Sequence, residues 1–141
     1  MIYFFTGQPQ SAKARMAKYL KEALIYNNSL KSVVLIDDDY LKGFIDKNDF
    51  PEKGGGEKFM SEAITISKYL AHINCDVILS LDYIYRDLLD EFKENYDVVE
   101  VYIHSNDNQQ QSNKNCIEIN TKGEDELVSL NELLGKIQNL V

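Results

Sequence analysis

The stretch Ile2-Tyr3-Phe4-Phe5-Thr6-Gly7-Gln8-Pro9-Gln10-Ser11-Ala12-Lys13-Ala14 decides how this chain is read. Its apolar, aromatic opening predicts a buried strand that breaks at Thr6-Gly7 into a polar loop. Beyond Lys13, the spacing of Met16, Leu20, Ala23 and Leu24 is helical. Strand, glycine-opened loop, lysine and helix form the layout of a phosphate-binding loop. In such a loop, backbone N–H groups and the positive helix end cradle a polyphosphate, and the lysine reaches its outer phosphates. The usual pattern, G-x-x-x-x-G-K-[ST], is altered twice. Ala12 stands at the second glycine, placing a methyl group where backbone passes close to phosphate. Ala14 replaces the hydroxyl that would ligate Mg²⁺. A plain strand-helix unit with a surface lysine stays open as the other reading.

Working outward, Val33 to Ile36 is a continuous apolar strand, as expected for burial on both faces of a parallel sheet. It ends in Asp37-Asp38-Asp39 and a short helical piece through Tyr40, Leu41 and Phe44. Asp46 to Gly56, with Pro51 and three glycines, predicts a mobile loop. A helix over about 57–74 carries Phe59, Ala63, Ile66, Leu70 and Ile73 on one stripe. Val77 to Leu81 is the third strand, and Ile84, Leu88, Leu89 and Phe92 mark the next helix. Val98 to Ile103 is the fourth strand. Ser105 to Asn115 is too polar to pack and reads as an exposed loop. Cys116 to Ile119 is a short fifth strand, and Leu127, Leu130, Leu134 and Ile137 line a last helix.

Alternating strands and helices predict a three-layer α/β/α P-loop fold with about five parallel strands in one domain. Its 141 residues suffice for a proper core. The net charge of −8 argues against a broad nucleic-acid or anionic-membrane surface. No apolar run approaches the roughly 18–20 residues that span a bilayer. Strand character from Ile2 leaves no signal peptide, so the expectation is a cytoplasmic chain in which Cys75 and Cys116 are buried thiols. Ligands of such sheets bind at the carboxyl ends of the strands. Those ends offer Gly7 to Lys13, Asp37 to Asp39, Ser80 to Asp82 and His104.

Read together, these strand ends resemble the adenylylsulfate (APS) kinases, P-loop enzymes that move the γ-phosphoryl of ATP to the 3′-hydroxyl of adenosine 5′-phosphosulfate. Tyr3 to Pro9 is similar to the family's W-F-T-G-x-x-G-[SA]-G-K-[ST], and Leu35 to Leu41 to its L-D-G-D-x-[LV]-R. Asp49-Phe50-Pro51 sits where the family has G-F-S. Ser80-Leu81 with Tyr85-Arg86 resembles S-x-[IV]-[SA]-P-[YF]-R, and Val99 to Ile103 resembles F-x-E-V-Y-V. The similarity spans roughly residues 2–104 in order.

The resemblance implies that Gly7, Gln8, Pro9, Gln10, Ser11, Ala12, Lys13 and Ala14 bind ATP, with Lys13 on the β- and γ-phosphates. Asp37 and Asp39 would serve magnesium and the acceptor hydroxyl, Ser80 would sit beside the transferred phosphate, and Phe50 would stack on the acceptor's adenine. Arg86 is read either as a phosphate contact or as a surface ion pair. Asp82 is a further candidate for Mg²⁺ or, more simply, a cap on the next helix. The aspartate triplet likewise suits a helix cap or a divalent cation.

The departures reduce positive charge. The family's acceptor-binding arginine aligns with Gly55, its asparagine with Lys58 and a further arginine with Ser61. The basic lid is replaced by residues 105–115, with Lys114 their single basic residue. Losing one group that stabilises transition-state charge typically costs about 10²–10³ in rate. The expectation is therefore a kinase-like nucleotide-binding protein whose APS phosphorylation is weakened or lost. The alternative is a pseudokinase that binds a nucleotide or a protein partner through the Gly54-Gly55-Gly56 loop and the 105–115 segment; a homodimer is a further expected partnership.

Overall fold

The computed structural model describes residues 1–7, 12–105, 116–122 and 125–139. Five strands form one sheet: β1 (Ile2–Gly7), β2 (Val33–Asp37), β3 (Asp76–Ser80), β4 (Val98–His104) and β5 (Cys116–Asn120). All pairings are parallel, in the order β2-β3-β1-β4-β5. The helices are α1 (Lys13–Asn27), α2 (Asp38–Lys42), α3 (Gly56–His72), α4 (Arg86–Asn95) and α5 (Glu126–Gln138). This is the three-layer α/β/α arrangement that the alternating pattern predicts.

Successive strand side chains point to opposite faces, so β1 feeds two cores. Ile2 and Phe4 join Val77, Leu79 and Val98 beneath Phe59, Met60 and Ala63 of α3 and Leu89 and Phe92 of α4. Tyr3 and Phe5 face the other way, with Ile78, Val101 and Ile119, against Met16, Ala17 and Leu20 of α1 and Leu133 and Ile137 of α5. Two helical faces are rotated from the expected stripes. Ile73 and Leu127 are exposed, while Met60, Ile64 and Leu133 are buried. Apolar residues in neighbouring rows of a helix leave the centre of a stripe to be chosen by packing.

Residues 46–56 are not the open loop expected. Two 3-10 turns, Lys47–Asp49 and Pro51–Lys53, are pinned by Asp46, whose carboxylate accepts from Asn48 N, and by the Phe50 carbonyl, which accepts from Lys53 N and Gly55 N. Gly55 fits because its backbone passes so close to Asp49 that a Cβ would lie 2.4 Å from the Asp49 carbonyl oxygen. Helix α4 begins at Arg86 with Tyr85 as its cap, so Asp82 does not cap it. Cys75 is buried, Cys116 is partly buried, and neither forms a disulfide. Among the described residues, no helix is long and apolar enough to cross a membrane.

Candidate phosphate site at the β1/β3 crevice

Helix α1 leaves the end of β1 on one face of the sheet, while the chain beyond β3 turns toward α4 on the other. Connections that diverge between adjacent parallel strands open a crevice at their carboxyl ends. Gly7 closes the β1 side. Its φ is +135°, and a Cβ there would sit 2.1 Å from the Ile103 carbonyl oxygen of β4. Only glycine lets the strand end lie that close to its neighbour.

Lys13, the first residue of α1, is not a solvated lysine. Its side chain is 3% exposed, and Nζ donates to the Leu81 carbonyl and lies 3.9 Å from Asp82 Oδ1. Burial lowers its pKa, and the charges of Asp82 and Asp38 pull it back up. Among the described residues, helix α1 has no side-chain cap and no acid in its first turn, so no residue of that turn offsets the partial positive charge of its N-terminus. Ala12 packs against the α1-side core. Gln8, Pro9, Gln10 and Ser11 lie outside the described residues.

The aspartate triplet is divided by the geometry of α2. Asp37 is its N-cap, with Oδ1 accepting from Tyr40 N at 2.8 Å. Asp39 is exposed. Asp38, which the family alignment leaves without a role, is the one whose field reaches Lys13 and Asp82. Its Oδ1 is sealed from solvent with no hydrogen-bond partner among the described residues. Burial, and then the neighbouring Asp82 charge, push the Asp38 pKa from 3.8 up to about 6. No signal in the sequence separates Asp38 from its two neighbours. The separation comes from the roughly 100° turn per residue of a helix whose cap position is set by the end of β2.

The raised Asp38 pKa fixes the sign of a pH effect. The folded chain holds this proton more tightly than the unfolded one, so stability declines as pH rises from about 4 to about 6 and the cost persists above that. Asp38→Asn should therefore stabilise the nucleotide-free protein at pH 7.5. The gain is about 1 kcal/mol once screening of this half-exposed group is allowed for. At pH 4 it should leave stability unchanged; urea melts at the two pH values measure both.

The remaining candidates lie further from Lys13 in role. Ser80 is buried at the end of β3, in register with Phe5 and Asp37. Phe50 packs edge-on to Phe59, with centroids 6.1 Å apart, and Lys42 Nζ lies 5.3 Å from its ring centre. Arg86 lays its guanidinium on Glu100, with nitrogen–oxygen distances of 2.7–3.0 Å. Glu100 is fully buried and also accepts from Lys93 Nζ at 3.1 Å and Thr6 Oγ1 at 2.7 Å. The reading of Arg86 as a surface ion pair missed that its partner is a core carboxylate. His104 Nε2 lies 2.7 Å from Glu118 Oε1. Gly55, Lys58 and Ser61, where the resemblance places acceptor-binding side chains in the family, line an open hollow of about 420 Å³ with Gly54, Glu57 and Leu88. Lys58 there is paired with Asp49 at 2.9 Å. Among the described residues, no three His, Cys, Asp or Glu side chains converge on a metal position.

No family model and no curated protein sequence matches this chain. Solved structures do. A hexameric APS kinase from Thiobacillus denitrificans superposes with a TM-score of 0.81 at 16% identity, over 98% of this chain and 28% of that one. The chain thus spans little more than a quarter of that protein's length. The APS kinase of Mycobacterium tuberculosis, in a cysteine variant, gives 0.74 at 15% identity over 97% and 96% of the two chains. A gluconokinase from Sinorhizobium meliloti gives 0.66 at 13% identity, over 98% and 91%. The fold is that of the P-loop kinases.

Proposed function

We propose that this chain, a P-loop kinase by fold, binds a nucleoside triphosphate with Mg²⁺ through Gly7 to Ala14 and has lost efficient phosphoryl transfer to APS. The observation that carries this reading is the Lys13 ammonium. It is held inside the β1/β3 crevice at the head of α1, where it costs desolvation and opposes the helix dipole. An arriving phosphate would offset both. The acids around it set the second requirement. Asp82 and Asp38 flank the lysine, so a bare polyphosphate meets carboxylates as well as one ammonium. A divalent cation resolves that conflict. Mg²⁺ is commonly held by one or two carboxylates, with phosphate and water completing its shell. Asp82, with Asp38 hydrogen-bonded beside it, fits that pattern and would replace the hydroxyl missing at Ala14. When bound, the ion would supply charge neutralisation on the phosphates.

Transfer is weak on this reading because two cations that could have served the reacting phosphate, Arg86 and Lys93, are held by Glu100. Ser80 and Asp39 remain the residues nearest in type to those that would position an acceptor. The protein then acts as a nucleotide-binding pseudokinase, its ancestral reaction being ATP-dependent phosphorylation of a nucleotide 3′-hydroxyl.

Titrating ATP with and without Mg²⁺ tests the binding. Wild type should bind Mg·ATP, with affinity falling at least about tenfold in Lys13→Ala, the size of one charge-assisted contact, and falling again without Mg²⁺. Equal, negligible affinity in every case overturns the proposal. Rapid γ-phosphate transfer to APS would overturn the pseudokinase half alone.

A further inference from the structure

The Lys13 crevice has two limbs, and neither is anchored by the residues that would touch phosphate. One limb is the end of β1 entering Gly7. The other is the segment 81–85, whose first residue supplies the carbonyl that meets Lys13 and whose second is Asp82. Both limbs run to the same buried carboxylate. Thr6 Oγ1, one residue before Gly7, donates to Glu100 Oε2 at 2.7 Å. Arg86, one residue after the 81–85 segment, clasps both oxygens of Glu100 with its guanidinium. Lys93, seven residues and about two turns further along α4, completes the set at 3.1 Å. The sheet register allows this because Glu100 pairs with Phe4, so its side chain shares a face with Thr6. Between these anchors the segment is also packed: Leu81 is buried in the α3/α4-side core with Ile84 against it, and Tyr85 N meets Met60 Sδ of α3 at 3.1 Å.

We propose that Glu100 is a positioning residue for the phosphate site: its buried carboxylate, gripping Thr6 on one side and Arg86 on the other, sets the distance between the β1 end and the segment that holds the Lys13 ammonium. This rests on the nucleotide reading above and adds to it a residue that touches no ligand. A network of this kind is directional, because Arg86 presents a planar fork and Thr6 a single hydroxyl. Because both grips act on one carboxylate, loss of either lets Glu100 shift and loosens both limbs. The same arrangement explains why a carboxylate is kept at a central sheet position where an apolar residue of equal volume would pack more cheaply.

The test is Thr6→Val, which keeps the shape of the side chain and deletes the hydroxyl, alongside Thr6→Ser, which keeps the hydroxyl. In nucleotide-free protein, amide exchange at Gly7 and Asp82, read by NMR, should rise about tenfold in Thr6→Val. Exchange at Leu133 in α5 should stay at its wild-type rate, and Thr6→Ser should restore wild-type values at all three. Mg·ATP affinity should weaken about tenfold in Thr6→Val only. Unchanged exchange at Gly7 and Asp82, or an equal rise at Leu133, would mean an ordinary core contact and overturns the proposal. If wild type binds no ATP, the nucleotide reading falls by itself and the exchange comparison still decides whether Glu100 holds the two limbs.

Discussion

Glu100→Ala should destabilise the protein by about 3–5 kcal/mol, the largest loss expected from any single side chain outside the apolar cores. The carboxylate is completely buried and meets Arg86, Lys93 and the Thr6 hydroxyl. Truncation removes the buried counter-charge of both cations and leaves Arg86 its exposed i,i+4 partner Asp90, 3.8 Å away. The Lys93 side chain is only 10% exposed, so water does little to relieve it. A domain of this size has about 5–15 kcal/mol in total, and the variant should sit close to unfolding at ambient temperature. Glu100→Gln separates charge from volume. It still accepts from Thr6 and fills the space, so it should recover part of the loss but not the pairing with Arg86. Urea denaturation of both variants measures this; a Glu100→Ala midpoint within 1 kcal/mol of wild type would show the network to be dispensable.

Gly7→Ala should cost a comparable amount, about 3–5 kcal/mol, for a different reason. A methyl group at residue 7 enters the Ile103 carbonyl of β4, which is backbone and cannot turn aside. Strands β1 and β4 would have to part where they pair Gly7 with Ile103. Overpacking of this kind costs about 1–3 kcal/mol. Holding a side chain at φ of +135° adds a further 1–3 kcal/mol or so. Because β1 is the central strand of the sheet, the damage is not confined to an edge. The denaturation midpoint should fall with the m-value unchanged, since native and unfolded surfaces differ little from wild type. A further consequence separates Gly7 from Glu100. Gly7→Ala distorts the loop entrance directly, so residual folded protein should have lost Mg·ATP binding. A Gly7→Ala protein with wild-type stability and affinity would contradict the strand-end geometry.

The two variants also mark how far sequence reasoning reaches in this chain. Gly7 was legible as the point where the first strand breaks into a loop, because the apolar run ends at Thr6-Gly7. Glu100 was not singled out, because nothing in Val98-Val99-Glu100-Val101-Tyr102-Ile103 distinguishes a glutamate facing solvent from one facing Arg86. Arg86 could be read only as a phosphate contact or a surface pair, because its partner lies 14 residues away, on the far side of a helix and a turn. Phe50 matched a stacking residue by its place in the sequence. Its contact with Phe59 follows from the ordering of residues 46–56 into 3-10 turns, which the Gly-Gly-Gly run concealed.

By itself the amino-acid order determined the layers of this protein: five apolar runs, each with its helix or loop, and a lysine placed at the head of the first helix. Local periodicity and turn chemistry act over a few residues, and they are enough to define strands, helices and their parallel succession. Only the tertiary structure decided which carboxylate of Asp37-Asp38-Asp39 has its charge acting on Lys13, that Asp82 lies beside Lys13 instead of capping α4, and that Arg86 and Lys93 belong to Glu100. Those choices depend on strand order, register and helix rotation. These are set by burying both faces of the sheet at once, and no local pattern records them.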